Sequence, residues 1–154
     1  MNIQNDFINA CKRGDIQLCR LLLEVGADVS ADDNQALRWA SDRGHAEVVK
    51  LLLEVGVDAN KDDALHWASY AGHTEIVRLL LEAGANVNAN EDEALRLASE
   101  NGHTEVVRLL LEAGADVHAN VNQALRWAHE EGHTEVVKLL LEAGADLDAS
   151  CERP

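Results

Sequence analysis

The sequence predicts an all-α solenoid of five helix-turn-helix repeats, and three observations carry that prediction. All ten glycines fall into two registers, Gly14, Gly44, Gly72, Gly102, Gly132 and Gly26, Gly56, Gly84, Gly114, Gly144, twelve residues apart within each pair. The pairs advance by 30, 28, 30 and 30 residues, a period that marks stacked units burying each other's apolar faces rather than a globule with one central core. Ahead of each second glycine the apolar residues recur at helical spacing, as Val48, Leu51, Leu52 and Val55 do at i, i+3, i+4 and i+7, which gathers them into one stripe. Five units exceed the roughly three that a solenoid requires. One domain is therefore expected over residues 1–148, with repeats at about 5–32, 33–60, 61–90, 91–120 and 121–148 and a tail at 149–154.

Within a repeat, the first helix runs about eight residues to Gly44, Gly72, Gly102 or Gly132, each suited to the left-handed position just past a helix end. Its apolar residues lie on opposite sides: at 100° per residue Leu37 and Trp39 stand about 160° apart. Burying both requires a helix sandwiched between two neighbours, so Trp39 and its counterparts Trp67, Leu97 and Trp127 are expected in the core, the alternative being a row of aromatic hot spots. The second helix is expected to begin near Thr74, Thr104 or Thr134, where a hydroxyl can cap free amides and the following Glu meets the positive helix end. Its wet side carries acid-base-acid triplets such as Glu75, Arg78 and Glu82, a solvated face.

The two ends differ. In the first repeat Asn9 takes the Trp position, Gln17 and Lys12 add polarity, and Asp15 stands where later repeats have His, the polar dress of a capping unit. The fifth repeat keeps TEVVKLLLEAG unchanged. A longer array, a frayed last helix, and a monomer that weakly self-associates through this uncapped side all stay open, with Cys151 the thiol expected to crosslink.

With 28 acidic and 13 basic residues the formal charge is −15, a field that repels phosphate backbones and anionic membrane surfaces. Nucleic acid and membrane are thus excluded as expected partners, and a protein or peptide with a basic surface is favoured. Cys11, Cys19 and Cys151 have no motif spacing, so no disulfide framework underlies the fold. No apolar run approaches the roughly 18 residues of a membrane span and no signal-peptide pattern opens the chain. A reducing, cytoplasmic setting is expected.

GHTEVVRLLLEAGADVHA, residues 102–119, written with small changes in each repeat, resembles the second helix and following turn of ankyrin repeats, over roughly residues 5–148. The usual unit of 33 residues opens its first helix with T-P-L-H; here the stretches read QALR, DALH, EALR and QALR, and only His66 keeps the family's His. The missing residues fall after the second glycine, so the resemblance implies β-hairpin fingers cut down to short loops. Such shortened repeats resemble those encoded by large DNA viruses of amoebae, and also an idealised laboratory array. The family binds proteins through its fingers and concave helix surface, and catalysis is not among its usual duties.

Carried over residue by residue, the family's contact positions before each first glycine are Asp42 and Arg43, Tyr70 and Ala71, Glu100 and Asn101, and Glu130 and Glu131. The free face of the first helix adds Arg38 beside Asp42, Arg96 beside Glu100 and Arg126 beside Glu130, but His66 beside Tyr70 in the repeat reached by the 28-residue step. Tyr70 is the expected anchor for a partner, because Tyr offers large contact area at modest entropic cost. The resemblance also matches Asn60 and Asn88 to a turn asparagine that a cytosolic hydroxylase modifies in some ankyrin repeats.

His45, His73, His103 and His133 sit one per repeat, a ladder that does not converge on one ion as a four-ligand site must. The acidic residues Asp32, Asp33, Asp62, Asp63, Glu91, Asp92 and Glu93, with Asn122, lack calcium-loop spacing and are expected in solvated loops. No catalytic motif is present and every glycine belongs to the repeat, so neither enzyme activity nor a cofactor is expected. Two functional readings remain: a protein-interaction module, and a stable idealised scaffold with no natural ligand.

Overall fold

The computed structural model describes residues 2–60 and 63–146, the side chains of 31–33 and 121 excepted. Among them are ten helices and no strand: α1 (Ile3–Arg13), α2 (Ile16–Glu24), α3 (Ala31–Asp42), α4 (Ala46–Glu54), α5 (Ala64–Ala71), α6 (Thr74–Glu82), α7 (Ala89–Glu100), α8 (Thr104–Glu112), α9 (Ala119–Glu130) and α10 (Thr134–Glu142). The chain divides into two compact units, Met1–Ala85 and Asn86–Pro154. In the first, α1 packs on α3 and α3 on α5, each beside its own second helix, while α2 meets α4 and α4 meets α6. In the second, α7 packs on α9 and α8 on α10. Each unit is a helix-turn-helix solenoid, as the periodicity predicts. None of the described helices is long and apolar enough to cross a membrane.

Each first helix buries a large residue flanked by small ones. Phe7, Leu37, Leu65, Leu95 and Leu125 occupy equivalent positions and are all buried, and Ala36, Ala40 and Ser41 share the buried face with Leu37. Each such large side chain contributes roughly 1.5–3 kcal/mol. Second helices supply Val48, Val49, Leu51 and Leu52 and their counterparts. The expectation for the tryptophans needs correcting: Trp39, Trp67, Trp127 and Leu97 are only half-buried. Ala36, Leu37, Ala40 and Ser41 make up the buried face, and position 39 lies at its margin.

Both helices of a repeat end on a glycine with positive φ. At Gly44 (φ 81°) the next amide, His45, donates to Ala40 O at 2.9 Å; at Gly56 (φ 97°) Val57 donates to Leu52 O at 3.1 Å. These six-to-one bonds satisfy carbonyls the helix leaves open. The second helices start differently from expectation. The N-cap is His45, His73, His103 or His133 with no side-chain cap bond, so Thr74, Thr104 and Thr134 already lie inside the helix. Thr134 Oγ1 instead donates to Gly132 O at 3.4 Å. Only Asp15, in the divergent first repeat, caps a described second helix, accepting from Leu18 N at 3.0 Å.

Where the resemblance implies shortened hairpins, the described residues form turns. Asp28, Asp58, Asn86 and Asp116 each accept the amide of the residue two places on, at 2.8–3.1 Å. A left-handed stretch follows, seen whole at Asn90, Glu91 and Asp92 (φ 51°, 58°, 58°) and in part at Asn34, Asp63, Asn120 and Asn122. Left-handed backbone costs roughly 1–2 kcal/mol for an ordinary residue and less for Asn or Asp, which explains the composition of these turns. Glu91 and Asp63 are exposed as expected, but Asp92 and Asn122 are buried, a second correction. Their side chains face inward because they tie one turn to the next: Asp92 Oδ1 accepts from Asp116 N at 2.9 Å, and Asn122 Nδ2 donates to Asp146 O at 3.1 Å. Gln4 does the same in the first unit, exchanging two bonds with the Asp28 backbone at 2.8 and 3.0 Å. Asp62, the side chains of Asp32 and Asp33, and Cys151 with the tail lie outside the described residues.

Candidate protein-binding face

The predicted row lies on the first helices, and its members differ in what surrounds them. In the Met1–Ala85 unit, Arg38 stacks between two indoles, its guanidinium 5.5 Å from the Trp39 ring and 5.0 Å from the Trp67 ring. Lys12 Nζ stands 4.1 Å over Trp39, and Arg43 lies 5.9 Å from it. Trp67 meets Tyr70 edge-on at 6.5 Å and His66 at 4.9 Å. The result is one continuous run of cations and aromatic rings, Lys12–Trp39–Arg38–Trp67–Tyr70, carried by α1, α3 and α5. Each cation–ring contact contributes about 0.5–1 kcal/mol at such partly exposed sites. Asp42 is held 3.6 Å from Arg43. Tyr70 is exposed at 48%, while Ala71 is half-buried beside it.

In the Asn86–Pro154 unit the row is more polar. Arg96 stacks 5.3 Å from the Trp127 ring, pairs with Glu93 at 3.1 Å and donates to Gln123 Oε1 at 3.2 Å. Glu93, expected in a solvated loop, is thus half-buried on the helix. Glu100 and Arg126 are half-buried; Asn101, Glu130 and Glu131 are exposed. The outer triplets behave as expected, with Arg78–Glu75 and Arg108–Glu105 loosely paired at 3.6 Å in solvent, worth little each.

The histidine ladder positions this row. His45 Nε2 lies 3.1 Å from Lys12 O, His73 Nε2 3.0 Å from Asp42 O, and His133 Nε2 2.8 Å from Glu100 O. A carbonyl only accepts, so Nε2 carries the proton in each case. The ring of one repeat thereby fixes the backbone of the row residue in the repeat before it, and the same rings occupy the space a Cβ would need at Gly14, Gly44 and Gly102. Beyond the last such clamp, an open groove of about 250 Å³ is lined by Ala128, His129, Gly132, Thr134 and Val137.

Lys12 is the row residue that sequence reasoning missed, and the tryptophans, expected in the core with a row of hot spots as the alternative, stand in the row. Lys12 occupies the register of Asp42, Tyr70, Glu100 and Glu130, and the dipeptides Arg38-Trp39, His66-Trp67 and Arg126-Trp127 repeat a cation or imidazole beside an indole. That pattern was the available signal. Asn60 and Asn88 are both exposed, and Asn60 Nδ2 donates to Gly84 O at 3.2 Å.

Helix pairs closed by two glycines, a turn-to-turn side-chain ladder and an exposed first-helix row define a helical repeat array. The model for ankyrin repeats (3 copies) matches the chain over residues 7–91 and again over 65–151, and the chain belongs to the ankyrin repeat family. No curated protein matches it. Ankyrin repeats generally serve as protein-interaction modules.

Proposed function

We propose that this protein is an intracellular interaction module that takes a protein or peptide, without turnover, across the first-helix row of its Met1–Ala85 unit. The observation that carries this reading is the run Lys12–Trp39–Arg38–Trp67–Tyr70. Tryptophan, tyrosine and arginine are the residue types that dominate binding energy when a partner covers them, and here they are already ordered against one another, which lowers the entropic cost of binding. The net charge of −15 steers a partner with a basic surface toward the protein. Asp42 offers a carboxylate on the same helix as Arg38 and Trp39 for its cations.

Selection from a displayed peptide library, followed by fluorescence anisotropy with the enriched peptides, tests the reading. Tyr70→Ala removes an exposed side chain and leaves the core intact; it is expected to weaken binding at least about fivefold, the equivalent of roughly 1 kcal/mol. A smaller loss takes Tyr70 out of the site. If no peptide is enriched over a Trp39→Ala/Tyr70→Ala double variant, the scaffold reading replaces this one.

A further inference from the structure

Cys11 on α1 and Cys19 on α2 face each other across the first helix pair, both fully buried, with their Sγ atoms 3.5 Å apart. The same two facing positions hold Ser41 and Val49, Ser69 and Val77, and Ser99 and Val107 in the next three repeats. Serine against valine therefore satisfies the packing three times over, and the first repeat alone replaces both partners with thiols. The two thiols share one hydrogen bond in which either sulfur can donate, and that bond first of all raises the pKa of Cys11 and lowers that of Cys19.

We infer that Cys11 and Cys19 are a redox-sensitive dithiol, which a low-molecular-weight disulfide such as glutathione disulfide closes into a covalent staple between α1 and α2. The Cys19 thiolate attacks one sulfur of glutathione disulfide and expels a glutathione thiolate, leaving a mixed disulfide on Cys19. Cys11 gives its proton to solvent and attacks the Cys19 sulfur, expelling the second glutathione thiolate. Two protein thiols are oxidised to one disulfide, one glutathione disulfide is reduced to two thiols, and the two protons end on the departing glutathiones. Closure draws the sulfurs about 1.5 Å nearer. Access comes from opening of the first repeat, which packs on the second through α1–α3 and α2–α4 and whose α2 leaves Leu21 and Val25 exposed at 58% and 64%. Lys12, next in chain to Cys11, carries the cation over Trp39, so the staple acts on one end of the proposed row.

The test uses the full chain carrying Cys151→Ser, incubated with glutathione disulfide and read by intact mass, alkylation and peptide mapping. The expected result is a mass lower by two hydrogens, simultaneous loss of both thiols at a rate independent of protein concentration, reversal by dithiothreitol, and a higher urea midpoint for the oxidised form. A stable glutathione adduct without the two-hydrogen loss overturns the inference. So do two thiols that stay alkylatable at an oxidant level that closes them in the urea-unfolded chain. Adding Cys11→Ser with Cys19→Val recreates the pairing of the other repeats and is expected to fold with an oxidant-insensitive midpoint; an oxidant-induced rise in that variant also overturns it.

Discussion

Gly102 and Gly132 have nearly the same backbone, φ 71° and 78°, and occupy the same register of adjacent repeats. They differ in what a Cβ would meet. At Gly102 it would fall 2.5 Å from His133 Nδ1, 2.7 Å from Cε1 and 2.9 Å from Cγ, whereas at Gly132 no described atom lies within 4 Å. Gly132→Ala is thus expected to incur only the left-handed penalty, about 1–2 kcal/mol. Gly102→Ala incurs the same penalty and must also displace the imidazole. That breaks the 2.8 Å bond from His133 Nε2 to Glu100 O, worth about 1 kcal/mol, and adds overpacking strain, so the further cost is about 1–3 kcal/mol. Urea unfolding followed by far-UV circular dichroism reads the difference. With a slope of about 1–3 kcal/mol per molar urea, Gly102→Ala is expected to unfold about 1 M earlier than Gly132→Ala. In a His133→Ala background the extra cost of Gly102→Ala should vanish. Equal destabilisation by the two substitutions within about 0.5 kcal/mol, or no relief from His133→Ala, would refute the clamp.

Asp92 places a carboxylate where the first, second and fifth repeats hold the amides of Gln4, Asn34 and Asn122 and the third holds Asp62. Burial raises its pKa above the ordinary 3.8, opposed by the Asp116 amide hydrogen bond and assisted by the nearby Asp116 charge. A raised native pKa means that the folded state binds the proton more tightly, so stability is greatest below the ordinary value and falls as pH rises through the native one. Asp92→Asn keeps an acceptor for Asp116 N and removes that loss; its stability relative to the parent should increase from pH 3.5 to 7, and a difference that is flat in pH contradicts the assignment. Thr134→Ala is expected to change stability by less than about 0.5 kcal/mol, because its hydroxyl caps no amide, while Asp15→Ala should cost about 1 kcal/mol; comparable losses in thermal unfolding would restore Thr to the cap.

The number of repeats, both helices of each, the residue that ends each helix and the register of the row were all legible in the chain. Each depends on a local rule: a 3.6-residue apolar period, or a glycine where φ must be positive. The core reading of the tryptophans did not hold because two positions on opposite sides of a helix do not reveal where the edge of its contact with a neighbour falls, and position 39 lies at that edge. Asp92 and Asn122 looked like solvated loop residues because composition does not show that a left-handed turn swings the third side chain inward toward the next turn. The Cys11–Cys19 contact and the His45, His73 and His133 clamps join residues 8, 33, 31 and 33 positions apart. The sequence by itself determined that this protein is a five-fold helical repeat with a variable row on each first helix. Which side chains of that row stack, which are clamped and which are buried was decided only by the stacking of one repeat on the next, since the spacing and rotation between neighbours are properties of the packed interface and of no single repeat.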